Sequence, residues 1–336
     1  MLQRRRSFLL ASAFAATGCR RRGPAAQRVR VVLAGTPATL AYLPHTVAQQ
    51  LNLYRREELL VAVDVIAGGS KAVEALLGGS TDVVIGYYDH SVKMAAQGQT
   101  LRSFVTMARY PGNVIVTSPS TSSRIRRVED LRHASVGVPG LGAQAHLFLS
   151  FLLVRHGVAL SDFTPISTSS QPAAIAALER GRLDALSTFD PAATQVMRRH
   201  PNARILADAR TQEGVREIFG VDAYPGSVLY AKADWLAHNT DTARRLARAI
   251  QASLRWIHQH SPDEIMGVVP SSHFGDHRAV YREALVHSLE MFSENGKMPV
   301  GGPEAVRNVL AASLETVRKA NIDLMRTYTN EFVTGQ

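Results

Sequence analysis

Short apolar runs alternate along the chain with segments whose apolar positions recur every three or four residues. The pattern predicts a first series of strands and helices and then a second one. The first has strands at 29–34, 60–66, 83–85, 103–107 and 113–117 and helices at 41–51, 71–77 and 91–97, and the second has strands at 135–138, 164–167, 184–188 and 205–207 and helices at 144–156 and 172–180. A strand at 227–231 precedes a mostly helical segment from residue 240. Strands that alternate with helices form βαβ units, so the predicted class is α/β with mostly parallel sheets.

One internal shift relates the two series. Residues 73–83 and 175–185 share Ala-Leu, Gly and Asp at an offset of 102 residues. Each copy predicts a helix, a glycine at its C-terminal end and then an apolar strand. We interpret the two series as equivalent α/β units. A chance match in an alanine-rich chain is the alternative, because the identities are few.

Composition and charge narrow the functional classes. The chain has 336 residues, 46% of them hydrophobic, which is enough for about two domains with a core each. No apolar run approaches the roughly 20 residues of a membrane-spanning helix, which argues against a channel. The net charge is +10, but six arginines at 4–6 and 20–22 account for most of it, and residues 28–336 carry only +4. A basic stripe interleaved with aromatic residues is missing, so nucleic acid is not an expected partner.

The N-terminus has the pattern of an export signal: arginines at 4–6, an apolar stretch at 8–16 and small residues before Cys19. Residues 5–9 resemble the twin-arginine export motif, and residues 16–19 resemble a bacterial lipobox. Ala16 stands where a lipobox usually has Leu, and arginines directly after the cleavage site are unusual for an exported chain. We expect residues 1–27 to be an export signal and basic linker, with cleavage before Cys19 and lipidation of Cys19. A plain basic arm is the alternative.

Cys19 is the only cysteine of the chain. Disulfides, a cysteine-ligated metal site and a catalytic thiol in the folded body are therefore excluded. No Gly-x-Ser-x-Gly nucleophile motif occurs either. We expect no catalytic residues, no resident metal and no cofactor.

Several short motifs follow one another in a recognisable order. They are an aromatic-bearing loop at 36–42, Gly-Gly-Ser at 68–70 before a helix, Gly-Ser-Thr-Asp at 79–82, Arg-Val-Glu-Asp-Leu at 127–131 before a Val-Gly-Val strand, and Phe-Asp-Pro at 189–191. Over residues 29–193, and more loosely to the end of the chain, this set resembles the solute-binding proteins of bacterial ABC importers. The resembling group binds aliphatic sulfonates, taurine, nitrate and thiamine-pyrimidine precursors.

The resemblance implies a two-lobed periplasmic-binding-protein fold of type II, with a mostly parallel sheet flanked by helices in each lobe. It implies a first lobe at 28–117 plus 226–336 and a second lobe at 118–225, joined by crossover strands near 113–117 and 227–231. A solute would bind in the cleft, and the lobes would close around it. The implied partners are the membrane subunits of an ABC permease, and the implied protein is a periplasmic monomer, tethered to the membrane if Cys19 carries lipid.

Candidate ligand-binding residues follow from the loops at the carboxyl ends of the strands. The turn of Gly142, Ala143 and Gln144 opens a helix and offers backbone N–H groups to an electronegative group. A second turn from the opposite lobe and a set of aromatic walls complete the prediction. These further candidates are Thr39, Leu40, Ala41, Gly69, Ser70, Tyr87, Tyr88 and Phe189.

Two carboxylates, Asp89 and Asp190, follow the predicted aromatic walls. Facing the ligand, each would repel an anion and accept hydrogen bonds from an amine or a ring N–H; turned away, each would hold its own loop. Both readings stay open, so the solute is either an organic anion or a nitrogenous, pyrimidine-like compound. An enzyme or sensor on the same scaffold, such as a pyrimidine-precursor synthase-like protein, is the alternative function.

Overall fold

The computed structural model describes residues 26–168 and 170–333, so the export signal and Cys19 lie outside the described residues. The strands are β1 (Gln27–Ala34), β2 (Leu59–Ile66), β3 (Val83–Tyr87), β4 (Leu101–Thr106), β5 (Asn113–Thr117), β6 (Ser135–Val138), β7 (Thr164–Ser167), β8 (Ala185–Phe189), β9 (Ile205–Asp208) and β10 (Ser227–Lys232). The helices are α1 (Leu43–Gln50), α2 (Leu53–Arg56), α3 (Gly69–Leu77), α4 (Asp89–Ala95), α5 (Gln144–Arg155), α6 (Gln171–Glu179), α7 (Ala192–Arg199), α8 (Gln212–Phe219), α9 (Ala233–His238), α10 (Thr240–Gln259), α11 (Pro262–Val268), α12 (Arg278–Ser288), α13 (Gly302–Ser313) and α14 (Glu315–Lys319).

Two five-stranded sheets form the cores of the two lobes. Their strand orders are β2-β1-β3-β10-β4 and β7-β6-β8-β5-β9. In the first sheet β1 is parallel to β2 and β3, while β10 is antiparallel to β3 and β4. The second sheet repeats this arrangement, with β6 parallel to β7 and β8 and with β5 antiparallel to β8 and β9. The predicted α/β class is confirmed, and α3 and α6 occupy equivalent positions at the offset of 102 residues.

The strand at 113–117 was expected in the first lobe, and the structure corrects this boundary. β5 pairs along its length with β8 and β9, so it belongs to the second sheet. The chain therefore crosses between the lobes before β5, at residues 107–112, and crosses back before β10, at residues 220–226. The strand at 227–232 lies in the first sheet, as expected.

The two crossover segments run side by side. Tyr224 N–H donates to the carbonyl of Arg109 at 3.0 Å, and Gly226 N–H donates to the carbonyl of Ala108 at 2.9 Å. A Cβ at Gly226 would lie 2.4 Å from the carbonyl oxygen of Tyr110. Only glycine allows this approach of the two backbones, so Gly226 holds the paired crossovers together.

The C-terminal helices contact both lobes rather than the first lobe alone. α10 packs on α1 and α2 in the first lobe. α12 packs on α7 in the second lobe, and α13 lies against both α5 and α4. No helix in the described ranges 26–168 and 170–333 is long and apolar enough to span a membrane.

Candidate functional site

A cavity of about 120 Å³ lies between the two lobes, where the carboxyl ends of the strands face each other. Its walls come from the segments after β1, β2 and β3 in the first lobe and after β6, β7 and β8 in the second. The lining residues are Ala34, Gly35, Thr36, Thr39, Tyr42, Ala67, Gly68, Gly69, Tyr87, His90, Pro139, Ala143, Gln144, Ala145, Thr168, Ser170, Gln171, Ala174, Leu186, Thr188 and Phe189. Equivalent loops of the two units thus meet at one place, as expected for ligand sites in α/β sheets.

Aromatic rings form one wall of the cavity. The ring of Tyr87, at the end of β3, lies 5.3 Å from the ring of Phe189, at the end of β8, with 30° between their planes. Tyr42 meets Tyr87 edge to face at 6.1 Å, and its hydroxyl donates to the carbonyl of Ala34 at 2.7 Å. The wall is therefore rigid and suits a planar or apolar part of a ligand.

Three helix N-termini point at the cavity. Gly69 begins α3, Gln144 begins α5 and Gln171 begins α6, and all three line the cavity. N–H groups in the first turn of a helix have no acceptor within the helix, and the helix dipole makes this end positive. This part of the cavity therefore suits an electronegative group.

The turn of Gly142, Ala143 and Gln144, predicted to bind the ligand, lies only partly at the cavity. Gly142 N–H donates to His146 Nδ1 at 3.0 Å, and Ala143 N–H donates to the carbonyl of Gly140 at 3.2 Å. Burial and the nearby Lys93 charge lower the pKa of His146, which keeps its ring neutral and able to accept. Gly142 does not line the cavity. Gln144 and Ala145, in the first turn of α5, line the cavity, and so does Ala143, whose N–H is already bonded to Gly140.

Gly142 instead lies at a contact between the lobes. A Cβ at Gly142 would lie 3.7 Å from Lys93 Nζ and 3.9 Å from Ser70 Oγ, both in the first lobe. Ser70, another predicted ligand residue, is thus outside the cavity wall and close to the second lobe.

The second predicted turn, at residues 39–41, also lies only partly at the cavity. Thr39 lines the cavity, but Leu40 and Ala41 are buried behind it. Leu40 N–H donates across the cleft to the carbonyl of Asp190 at 3.2 Å, and the carbonyl of Ala41 accepts from Ser227 Oγ at 2.6 Å. Leu40 therefore links the two lobes, whereas Ala41 is held within the first lobe.

Tyr88 was expected as an aromatic wall, and the structure corrects this. Its ring is fully buried in the core, and its hydroxyl lies 2.5 Å from Thr327 Oγ1. Adjacent residues at a strand end point in different directions, so Tyr87 faces the cavity and Tyr88 faces the C-terminal segment.

Asp190 belongs to a buried network of the second lobe. Its carboxylate accepts from Arg210 Nη1 at 2.7 Å and from Thr194 N and Oγ1 at 3.0 and 2.8 Å. Arg210 is also paired with Asp208 at 2.5 Å. Asp190 is absent from the lining of the cavity. Of the two readings left open by the sequence, the geometry of Asp190 agrees with a carboxylate that holds its own loop.

Asp89 is in a different situation. It is 2% exposed, and neither carboxylate oxygen has a hydrogen-bond partner among the described residues. Tyr87, two residues before it, and His90, directly after it, line the cavity, whereas Asp89 itself does not. The pKa of His90 is lowered chiefly by burial, so its ring is neutral.

His90 and several hydroxyl and amide side chains were missed as ligand candidates. The other missed polar lining residues are Thr168, Ser170, Gln171 and Thr188. The internal repeat carried a signal for two of them, because the offset of 102 residues aligns 68–70 with 170–172.

The described lining contains no Asp, Glu, Lys or Arg side chain. No group of three or more His, Cys, Asp or Glu side chains within 26–168 and 170–333 is arranged to hold a metal ion. The site is thus a polar but uncharged cavity with one aromatic wall, typical of the binding of a small organic solute.

Two equivalent lobes, paired crossovers and a cavity between them define the periplasmic-binding-protein architecture, so the predicted fold is confirmed. The family model described as NMT1/THI5 like matches residues 41–265. The chain belongs to this family, which confirms the resemblance drawn from the sequence. The match runs through β10 and into α11, within the range over which the resemblance was drawn.

Individual relatives agree with this assignment. A solved protein from Bordetella bronchiseptica RB50 is 32% identical with a TM-score of 0.85, and the match covers 91% of this chain and 95% of that one. The alkanesulfonate-binding protein SsuA from Xanthomonas axonopodis pv. citri, bound to MOPS, shares the fold at 18% identity and a TM-score of 0.70, covering 91% and 98%. The protein of Bacillus subtilis (strain 168) that carries the name "Putative binding protein YtlA" is 22% identical over 247 residues, which is 71% of this chain and 70% of that one.

Proposed function

We propose that the protein is the solute-binding component of an ABC importer and captures a small organic solute between its lobes. The observation that carries the proposal is the cavity itself. Equivalent loops of both lobes enclose it, and Tyr87 and Phe189, one from each lobe, meet at 5.3 Å in its wall. A solute held there contacts both lobes at once, so its binding energy stabilises the closed form. Membership of this family, and a fold shared with an alkanesulfonate-binding protein, support the same function.

The lining suggests how a solute is held. A planar or apolar part lies against the aromatic wall, and an electronegative part lies at the N-termini of α3, α5 and α6. Hydroxyl and amide groups such as Thr188 and Gln171 fix its orientation. The sulfonate bound by relatives of this fold fits the helix termini, and so does the polar edge of a nitrogenous ring.

Delivery of the solute requires an extracytoplasmic location and a permease. The basic, apolar and small-residue segments before Cys19 support export, by the twin-arginine or the general secretory route. We expect lipidation of Cys19 to tether a monomer near the membrane subunits of its permease. Labelled palmitate supplied to expressing cells should appear in the wild type and be absent from Cys19→Ala. Equal labelling of both would contradict the lipid anchor and leave export open.

Solute binding is tested by thermal melting against a panel of alkanesulfonates, nitrate, taurine, pyrimidines and carboxylates. A true solute should raise the melting temperature saturably, by the equivalent of about 2.7 kcal/mol at 100 times its dissociation constant. Gln144→Glu places a negative charge at the start of α5 without changing the size of the side chain. The substitution should weaken the binding of a solute whose electronegative group lies there. Gln99→Glu, at an exposed position of the first lobe, is the control and should leave binding unchanged.

An enzyme on the same scaffold is the competing function. The only cysteine lies outside the described residues, and the described lining offers no carboxylate for acid-base chemistry. Each solute that stabilises the protein should be incubated with it and examined by mass spectrometry. Recovery of unchanged solute supports the binding protein, and turnover would overturn it in favour of an enzyme.

A further inference from the structure

A second groove lies in the first lobe, apart from the cavity between the lobes. Its volume is about 360 Å³, and its walls come mainly from β2 on one side and from α1 and α2 on the other. Five consecutive residues of β2, at 59–63, line it. Successive side chains of a strand point to opposite faces of the sheet, so a groove lined by consecutive residues runs along the edge of the strand. We call it the β2-edge groove.

β2 is the outermost strand of the first sheet. In the part of the chain that the structure describes, it pairs with β1 alone, and no further hydrogen bond reaches the backbone of residues 60–65. The outer edge of β2 therefore presents a row of unpaired N–H and C=O groups. Such a row is a template for pairing with another extended chain.

This edge lacks the features that usually prevent such pairing. Edge strands commonly carry proline, lysine, an inward-pointing charge or a bulge. Residues 59–63 are Leu-Leu-Val-Ala-Val, and the register with β1 runs without a bulge from Leu59 to Ile66. Leu60 is 39% exposed, and Val65, further along β2, is 54% exposed. The lined part of β2 has room for about five residues of an added strand, roughly 17 Å at about 3.4 Å per residue.

Two arginines give the β2-edge groove its charge. Arg28 and Arg55 both line it and are exposed, and neither has an ion pair within residues 26–168 and 170–333. No Asp or Glu is among the described residues of the lining. A guanidinium group forms strong, directional hydrogen bonds with a carboxylate. The groove therefore favours an extended chain that carries acidic side chains.

The acidic residues next to the groove do not neutralise these arginines. Glu57 is paired with Arg248 at 2.6 Å, and Glu58 is paired with Arg245 at 2.9 Å. Asp64 is exposed and lies one residue beyond the lined part of β2. The positive charge of the groove is therefore available to a partner.

The chain itself offers no matching occupant by charge. Residues 20–22 are arginines and stand five to seven positions before Gln27, where β1 begins, so this segment would bring like charge to the groove. A second copy of the protein, docked by the same edge, would place two positive grooves against each other. An acidic segment of another protein has the complementary charge.

We propose that the β2-edge groove binds an acidic, extended segment of a partner protein, which adds a strand to β2. Backbone hydrogen bonds to β2 supply affinity, and Arg28 and Arg55 select carboxylate side chains. The groove lies at the N-terminal ends of β1 and β2, whereas the solute cavity lies at their carboxyl ends. A bound partner thus leaves the solute cavity accessible, so this function goes beyond solute binding and does not depend on it.

Synthetic heptapeptides with blocked ends test the chemistry of the partner. One alternates valine with glutamate, the second valine with glutamine and the third valine with lysine. In fluorescence anisotropy at low salt, the glutamate peptide should bind at least about tenfold more tightly than the glutamine peptide, and added salt should weaken it. The lysine peptide should not bind. Equal binding of the glutamate and glutamine peptides would overturn the proposal.

Variants and hydrogen exchange test the place of binding. Arg28→Gln and Arg55→Gln should each weaken the glutamate peptide about threefold. Arg180→Gln, at an exposed position of the second lobe, is the matched control and should bind like the wild type. The peptide should slow amide exchange at residues 60–63, because an added strand takes up the outer N–H groups. Binding without this protection, or without an effect of either groove arginine, would overturn the proposal.

The other two occupants are distinguished by separate measurements. Light scattering should show a monomer, and removal of the residues before Gln27 should leave the affinity for the glutamate peptide unchanged. A dimer that the peptide dissociates would assign the groove to a second copy. Tighter peptide binding by the shortened chain would assign it to the segment before β1. Either result would overturn the proposal.

Discussion

Tyr87 and Phe189 stand 102 positions apart in the sequence, and their rings contact each other in the wall of the cavity, with 5.3 Å between their centres. Each is the last residue of the third strand of its unit, in β3 and β8. An internal repeat thus places equivalent side chains face to face, one from each lobe. A solute that inserts beside them contacts both halves of the protein.

Replacing Phe189 with Ala should weaken solute binding by about 1–3 kcal/mol, because the apolar contact of one wall is lost. Calorimetry with a solute identified by thermal melting measures this. Phe151→Ala is the control, since Phe151 stacks on Phe219 within the second lobe and does not line the cavity. Phe151→Ala should lower the stability of the protein and leave its affinity for the solute unchanged. An unchanged solute affinity in Phe189→Ala would mean that the solute binds elsewhere.

Gly69→Ala should disturb the site through His90. A Cβ at Gly69 would lie 2.0 Å from His90 Nε2, so the imidazole must move and the cavity changes shape. We expect at least tenfold weaker binding, a loss of about 1.4 kcal/mol. Gly267→Ala, where a Cβ meets nothing within 4 Å in the exposed surface of α11, should bind normally and be about 0.5–1 kcal/mol more stable. Equal affinities for the two variants would contradict the placement of His90 in the site.

Arg210→Met should cost about 3–5 kcal/mol of unfolding free energy, because Asp190 is left buried without its cation. Urea denaturation measures the loss. Arg198→Met removes an exposed partner of Glu283, 3.0 Å away, and should cost less than about 1 kcal/mol. If the two variants are equally stable, the Asp190 network does not hold the second lobe.

Stability should fall as the pH drops from 6.5 toward 4, in part because of His45. Burial, followed by the effect of His273, lowers the pKa of His45 from 6.5 to about 4. In that window the unfolded chain takes up a proton at His45 that the folded protein does not, so the contribution is present above pH 6.5 and lost on acidification, by roughly 3 kcal/mol at pH 4.

Urea denaturation of the wild type and His45→Gln between pH 7 and 4 checks this contribution. The variant loses the hydrogen-bonded pair with Tyr54, so its stability at pH 7 is lower, and its dependence on pH should be shallower. His133→Asn is the control, because His133 is exposed and has a left-handed backbone that Asn tolerates. A pH dependence identical to wild type in His45→Gln would contradict the buried neutral imidazole.

Local periodicity in the sequence was sufficient to predict most strands and helices and the internal repeat at an offset of 102 residues. The predicted strands at 135–138 and 164–167 have the bounds of β6 and β7, because alternation of apolar positions and helix-ending glycines are short-range signals. The resemblance of ordered motifs added the two-lobed architecture. The walls formed by Tyr87 and Phe189 followed from the offset of 102 residues.

Only the tertiary structure decided which side chains face the cavity and which are paired elsewhere. Tyr88 turns into the core toward Thr327, and Gly142 N–H is taken by His146. Such outcomes depend on contacts between segments far apart in the chain, which short-range patterns do not contain. The two carboxylates illustrate the reason: Asp190 meets Arg210, whereas Asp89 meets no cation among the described residues, and nothing in their similar aromatic-then-acid sequences distinguishes them.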